Sequence, residues 1–273
     1  MFIEFLTKVE EDMEELIQNI KMKIPDKNTN FFFSVSNNPS SRGSNFYNKL
    51  FFKKKKNNIY FPILIKNNLD FKKFIDFSRL GIIKVGGMSI SMPFKSYALK
   101  FANIKHKSTI ISKNINTLIF KKKNIYAYNS DFLAAEKILK KKKFDNFIIM
   151  GAGSLASSFI NLLRGKKIFI FNRSKKNVKK IILKHNNVFE LNRKNSKKLK
   201  NVCIINATPK HNHKKLLNLV DFSRVKYICD CIIEKESKLS KISKRYFIKY
   251  TNGDHFYEHQ RSYQQKIYLN EKL

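Results

Sequence analysis

The sequence predicts an α/β protein of two domains, and three observations predict it. From Tyr60 onward, short apolar runs of strand length alternate with stripes of helical period, the rhythm of sheets covered by helices. The stretch NFIIMGAGSLASSFINLLRGKKIFIFNRS reads as strand (Phe147 to Met150), glycine turn, helix (Ser154 to Leu163) and second strand (Ile168 to Phe171). The 273 residues, 42% hydrophobic and 13% aromatic, fill one large core or two modest ones, and the length favours two.

Taken in order, Thr7 to Glu10 fits a capping box, and Val9, Met13, Leu16, Ile17 and Ile20 form one stripe, so an acidic amphipathic helix is expected first. FFFSVS, Phe31 to Ser36, reads as a strand, followed by the polar loop NNPSSRGSN and a helix from Phe46. IYFPILI, a helix around Phe71 to Leu80, and IIKVGGMSIS continue the alternation. The second half begins anew at Phe147. Its turn, Gly151, Ala152, Gly153 and Ser154, lets backbone N–H groups and a helix N-terminus approach a diphosphate. Strand before and helix after give the G-A-G-S-x-A pattern its context, so this half is predicted to be a Rossmann-type domain with a doubly wound parallel sheet. CIINATP, Cys203 to Pro209, is a further strand ending in polar and turn residues, at the sheet edge where ligands sit.

The end of the second strand selects the nicotinamide cofactor. Enzymes using NAD place an acid about 20 residues past the glycines to hold the ribose hydroxyl. Here the positions are Asn172, Arg173, Ser174, Lys175 and Lys176, with no acid from Lys166 to Lys180. A 2′-phosphate meets a guanidinium, a hydroxyl and ammonium groups there, so NADP is expected.

The formal net charge is +36, yet the excess is in Lys and is accompanied by abundant Phe and Tyr, no Trp, 8 Gly and 5 Pro. That is the signature of A- and T-rich codons rather than of a phosphate-binding surface, so no nucleic-acid partner is expected. The runs Lys53 to Lys56, Lys121 to Lys123 and Lys140 to Lys143 fall between apolar segments and read as solvated loop charge. No apolar run reaches the roughly 18 residues of a membrane span and no signal peptide is evident, so the expectation is a soluble, cytoplasmic protein with no membrane partner. Cys203, Cys229 and Cys231 lie in apolar runs and read as reduced structural thiols. HFYEH, His255 to His259, has the spacing of an inverted zinc motif but no third ligand on another element, so no metal is expected.

Lys95 stands immediately behind a Pro-Phe turn at the end of the apolar run VGGMSISMPFK, an odd place for a solvated charge. SISMPFK with Lys95, NINT with Asn116 and Thr117, YAYNSD with Asp131, then GAGSLA, NRS and NAT occur in the order of the motifs of the shikimate dehydrogenase family. From about Phe31 to the C-terminus the chain resembles that family, and S-M-P-F-K and the long N-terminal polar loop resemble its shikimate dehydrogenase-like subgroup. The resemblance implies that Lys95 and Asp131 are the catalytic pair. It implies substrate contacts at Ser41, Ser44, Ser91, Asn116, Thr117 and Gln260. It implies cofactor contacts at Gly151, Ala152, Gly153, Ser154, Asn172, Arg173, Ser174, Asn206, Thr208 and Gly253.

Four positions depart from the family pattern: Ser89 stands for Asn, Ser130 for Thr, Ser154 for the third glycine, and Gln265 for an aromatic. The implied organisation is a substrate domain over residues 1–130, completed by a C-terminal helix over 252–273, and an NADP domain over 131–251. The implied reaction is the reversible NADPH-dependent reduction of 3-dehydroshikimate to shikimate by a monomer or homodimer acting on a small molecule. A related quinate or hydroxy-acid dehydrogenase, or a decayed binding protein of the same fold, are the alternatives.

Overall fold

The computed structural model describes residues 25–208, 214–233 and 236–273, and the helix expected from Thr7 lies outside them. The elements through the first half are β1 (Asn30–Ser36), α1 (Arg42–Lys53), β2 (Asn58–Leu64), α2 (Asn68–Arg79), β3 (Val85–Ile90), β4 (Ile104–Lys105), α3 (Lys107–Ser112), β5 (Thr117–Lys121), β6 (Asn124–Tyr128) and α4 (Ser130–Leu139). There follow β7 (Asn146–Met150), α5 (Ser154–Leu162), β8 (Lys167–Phe171), α6 (Lys175–Ile182), β9 (Val188–Glu190), α7 (Arg193–Ser196), β10 (Val202–Asn206), α8 (Lys214–Leu217), β11 (Val225–Asp230), α9 (Lys238–Arg245), β12 (Lys249–Thr251) and α10 (Gly253–Leu269). Two compact units result. The first takes the chain to His106, with Ile115–Tyr128 and Gln265–Lys272; the second takes Lys107–Asn114 and Asn129–Gln264.

In the first unit the strand order is β2-β1-β3-β5-β6-β4, with β1 parallel to β2 and β3, and β5 antiparallel to β3 and β6. The period of two in FFFSVS sends Phe33 and Val35 into a core with Phe71, Met88 and Phe94. Phe32 goes to the other face, into a core with Tyr47, Phe51, Tyr60, Ile267 and Tyr268. Helix α1 begins at Arg42, ahead of the apolar stripe that starts at Phe46, because its first turn is the polar RGSN. Helix α2 begins where Asn67 Oδ1 accepts from the Leu69 and Asp70 N–H groups.

The second unit is the parallel sheet that the sequence predicts, ordered β12-β11-β10-β7-β8-β9. From β7 the chain winds outward through β8 and β9, then returns beside β7 with β10 and winds the other way. That doubly wound order places a switch point between β7 and β10, where the strands' C-terminal ends leave room for a ligand. Both faces are covered, so β7 is apolar from Phe147 onward: Ile149 packs with Phe159 and Ile205, while Ile148 and Met150 pack with Ile204. No helix of the described residues is long and apolar enough to cross a membrane.

Candidate functional site

In the first unit, register pairs Ser34 with Ser89 across β1 and β3, and Ser89 with Thr117 across β3 and β5. Paired residues project from one face, so three hydroxyls stand in a row across the sheet. Just past β3, Ser91 is exposed and its N–H donates to the Val35 carbonyl at 3.0 Å. Asn116 leads into β5: its carbonyl accepts from Ile90 N at 2.7 Å and its Oδ1 accepts from Thr117 Oγ1 at 2.9 Å. Both Asn116 and Thr117 are buried.

The chain then turns at Met92-Pro93, a cis peptide, and reaches Lys95. Phe94 is fully buried and stacked on Phe71, ring centroids 5.2 Å apart, and the Lys95 carbonyl accepts from Ile115 N at 3.4 Å. The backbone of this half-buried lysine is thus anchored on both sides, beside Asn116. Ser91, Lys95, Asn116 and Thr117 gather at one end of the sheet. Ser41 and Ser44 lie at the head of α1, where Ser44 Oγ donates to the Ser41 carbonyl at 2.8 Å.

In the second unit Gly151 adopts φ +108°, and a Cβ there would sit 2.9 Å from the Ala207 carbonyl oxygen. Only glycine fits. Its N–H donates to Phe171 O and Ala207 N–H donates to Met150 O, both at 2.9 Å, tying the ends of β7, β8 and β10 together. Gly153 occupies the N-cap of α5 with no side-chain cap, and Ser154 opens the helix. The first amides of α5 therefore lack a side-chain acceptor, which suits a diphosphate. Gly153 is exposed and Ala152 half-buried beside it.

After β8, Asn172 Nδ2 donates to the Ser174 carbonyl at 3.2 Å, and Ser174 Oγ caps α6 by accepting from Asn177 N. Arg173 is exposed, while Lys175 is ion-paired with Glu190. Asn206 is fully buried at the end of β10, its Oδ1 accepting from the Thr208 N–H at 3.2 Å and from Thr208 Oγ1 at 2.8 Å. The turn, Asn172 to Ser174, Asn206 and Thr208 therefore cluster at the strand ends around the switch point.

Asp131 lies in the first turn of α4, whose N-cap Asn129 accepts from Phe132 N at 3.1 Å. Asn129 is itself held: its Nδ2 donates to Asn114 Oδ1 at 2.6 Å and to Ser112 Oγ at 2.8 Å. Gln260 is buried and its Nε2 donates to Ser130 Oγ at 2.7 Å, which brings it next to Asp131. Burial pushes the Cys231 thiol well above its ordinary value, with Cys229, Asp230 and Asp131 adding to the push. Gly253 opens α10 where a Cβ would meet the Ile232 carbonyl oxygen at 2.1 Å, so a close backbone approach requires glycine there. Lys95 belongs to the first unit and Asp131 to the second.

Sequence reasoning missed Asp230. This fully buried carboxylate accepts from Asn206 Nδ2 at 2.9 Å, Ile232 N at 3.3 Å, Ser237 Oγ at 2.7 Å and Tyr250 Oη at 3.2 Å. An acid in the middle of the apolar run YICDCII was the available signal. It also missed Tyr60 and Tyr268, which bracket Ser89. The His255 and His259 rings meet edge to face at 4.6 Å, and among the described residues no group of three or more His, Cys, Asp or Glu could hold a metal ion.

Together these features define a two-unit α/β protein in which a Rossmann-type sheet carries a dinucleotide turn and a mixed sheet carries a hydroxyl-lined site ending in a lysine. No family model matches the chain. It is similar to a shikimate dehydrogenase-like protein of Haemophilus influenzae, 28% identical over 159 residues, a match spanning 55% of this chain and 56% of that one. It is also similar to an NADP(+) shikimate dehydrogenase of Saccharolobus solfataricus, 26% identical over 231 residues, 79% of this chain and 80% of that one.

Among solved structures, a shikimate 5-dehydrogenase-like protein superposes with TM-score 0.77 at 22% identity, covering 92% of this chain and 95% of the other. A quinate dehydrogenase from Corynebacterium glutamicum in complex with NAD gives TM-score 0.71 at 14% identity, covering 89% and 94%. The chain is thus similar in sequence to shikimate dehydrogenases and to a shikimate dehydrogenase-like protein, the resemblance that its motifs carry.

Proposed function

We propose that the protein is an NADP-dependent shikimate dehydrogenase, interconverting 3-dehydroshikimate and shikimate on the route to chorismate and the aromatic amino acids. The observation that carries the reading is the row Ser34, Ser89 and Thr117, continued by Ser91 and Asn116 and ending at Lys95. A row of hydroxyls and amides beside one cation suits a polyhydroxylated carboxylate, because every substrate hydroxyl lost from water then regains a partner. In this reading Ser41, Ser44, Ser91, Asn116 and Thr117 of the first unit contact the substrate, the second unit is the cofactor domain, and Gln260 is the substrate contact that the second unit contributes.

The glycine turn fits a dinucleotide: Gly151 leaves no room for a side chain, and α5 opens on an exposed glycine with no side-chain cap. Gly151, Ala152, Gly153 and Ser154 would cradle the diphosphate, Arg173 and Ser174 the 2′-phosphate, with Asn172, Asn206, Thr208 and Gly253 around the remainder. The bound nicotinamide supplies or takes up the hydride. Lys95 gives a proton to the substrate oxygen as the carbonyl is reduced and takes it back in the reverse direction, and the resemblance makes Asp131 the other member of the catalytic pair. Support comes from the relatives named as NADP(+) shikimate dehydrogenases.

A second reading, dehydrogenation of quinate, is favoured by the quinate dehydrogenase neighbour. NADPH formation, followed by absorbance with shikimate and quinate side by side and with NADP and NAD in turn, tests both. Shikimate with NADP is expected to be the best pair. Faster turnover of quinate selects the second reading, and turnover of neither, with no NADPH binding, means a decayed protein.

A further inference from the structure

Ser89 stands where the family motif has asparagine, and its surroundings show what takes over the lost reach. Tyr60 Oη donates to Ser89 Oγ at 2.5 Å, and Ser89 Oγ and Tyr268 Oη lie 2.6 Å apart. The two tyrosines are 1% and 6% exposed, whereas Ser89 is half-buried. Their rings cannot swing away: Tyr47 stacks on Tyr60 at 4.8 Å, and Tyr268 packs against Tyr47 at 5.0 Å and Phe32 at 4.8 Å. Burial pushes the Tyr268 hydroxyl well above its ordinary value, and Tyr60 and Tyr47 add to the push. Tyr268 therefore stays a neutral O–H donor at working pH.

A hydroxyl gives one hydrogen bond and accepts two. In the absence of ligand Tyr60 donates to Ser89, and the Ser89 proton can lie on Tyr268 Oη. A ligand's acceptor oxygen arriving at Ser89 changes this: both tyrosines donate to Ser89 from behind and the serine proton turns outward. We propose that Tyr60 and Tyr268 are positioning residues that orient Ser89 as an outward donor to an acceptor oxygen of a polyhydroxylated carboxylate, making the three hydroxyls a specificity element of the substrate site. The inference rests on the substrate class proposed above and adds to it two residues outside the family motifs.

Steady-state kinetics and titration calorimetry with shikimate, on wild type, Tyr60→Phe, Tyr268→Phe, the double Phe variant, Ser89→Ala, Ser89→Thr and Ser89→Asn, test it. One lost hydrogen bond weakens binding by about three- to tenfold, so each Phe variant and Ser89→Ala should raise the shikimate KM by about that factor. The KM for NADP should not move, and kcat should stay within about twofold, since neither tyrosine exchanges the proton in the reaction. Ser89→Thr keeps the hydroxyl and should rescue binding. Ser89→Asn restores the family residue yet should weaken binding, because its longer side chain meets the two phenol oxygens. A purely packing role predicts no change for Tyr→Phe, which keeps both rings. A folded double Phe variant that binds shikimate like wild type overturns the inference alone. If that variant does not fold, Ser89→Ala decides: wild-type affinity there overturns the inference as well. Wild-type protein that binds neither shikimate nor quinate overturns the functional reading, and the inference falls with it.

Discussion

The two units gather polar groups at the end of a sheet with different materials. In the second, the turn is made of backbone: Gly151 at φ +108° against Ala207, and an α5 N-terminus without a side-chain cap. In the first, the site is made of side-chain hydroxyls brought together by strand register, from Ser34, Ser89 and Thr117. A backbone site has no spare room, so a single methyl group breaks it. A hydroxyl site tolerates conservative exchange, so it can drift in specificity while the fold stays intact. Ser89, where the family has asparagine, is such an exchange.

The largest effects are expected where backbone meets backbone in the second unit. Gly253→Ala puts a methyl 2.1 Å from the Ile232 carbonyl oxygen, so the start of α10 must move. The expected cost is about 3 kcal/mol, read as a fall in Tm of roughly 6 to 12 °C. A Tm within a degree of wild type would mean that this approach is not needed. Asp230→Ala comes next. It strands donors on Asn206, Ser237 and Tyr250 in a buried site, at about 2 to 3 kcal/mol by denaturant unfolding, and it frees Asn206 to turn. If Asp230→Ala unfolds like wild type, the buried carboxylate is not what holds the edge of β10 and β11.

The third effect falls on the cofactor rather than the fold. Arg173→Ala should raise the KM for NADP by about ten- to a hundredfold and leave the KM for NAD nearly unchanged, since only NADP has a phosphate to lose. Lys175 is engaged by Glu190, which leaves Lys176 as the nearer substitute and limits compensation. Equal use of NAD and NADP by the wild-type protein would remove the basis for this assignment.

The smallest effect is one of pH. Burial and the His255 charge hold the His259 pKa below its ordinary value, so the unfolded chain binds the proton more tightly than the folded one. Stability is then lost as pH falls through the unfolded value toward the lowered folded one. His259→Gln should flatten that part of a Tm-against-pH profile between about pH 7 and 5. A profile unchanged by the substitution shows that other groups set the slope.

The same contrast explains what could be read from the sequence. The second unit was legible because its strands are apolar on both faces and its turn needs glycine: NFIIM and KIFIF gave the sheet, and Gly151 and Gly153 gave the turn. The first turn of α1 was hidden because Arg42, Gly43, Ser44 and Asn45 carry no apolar period. Helix α3, six residues long, was too short to show one. Lys95, Asn116 and Thr117 could be singled out as candidates through their motifs, but Tyr60 and Tyr268 could not, because a tyrosine in an apolar stripe looks like core until its hydroxyl finds a partner. Here the partner of both is Ser89, 179 positions from Tyr268 along the chain, and no local pattern could show it.

Lys95 tests the account most directly, because it is where the hydroxyl-built site is said to do chemistry. The measurement is kcat for NADPH formation from shikimate and NADP by wild type and Lys95→Ala, with NADPH binding followed separately by fluorescence. The account predicts measurable wild-type turnover, a loss of about a hundred- to ten-thousand-fold in the variant, and nearly unchanged NADPH binding. A Lys95→Ala enzyme that turns over at the wild-type rate contradicts it and returns Lys95 to the surface lysines of a lysine-rich chain.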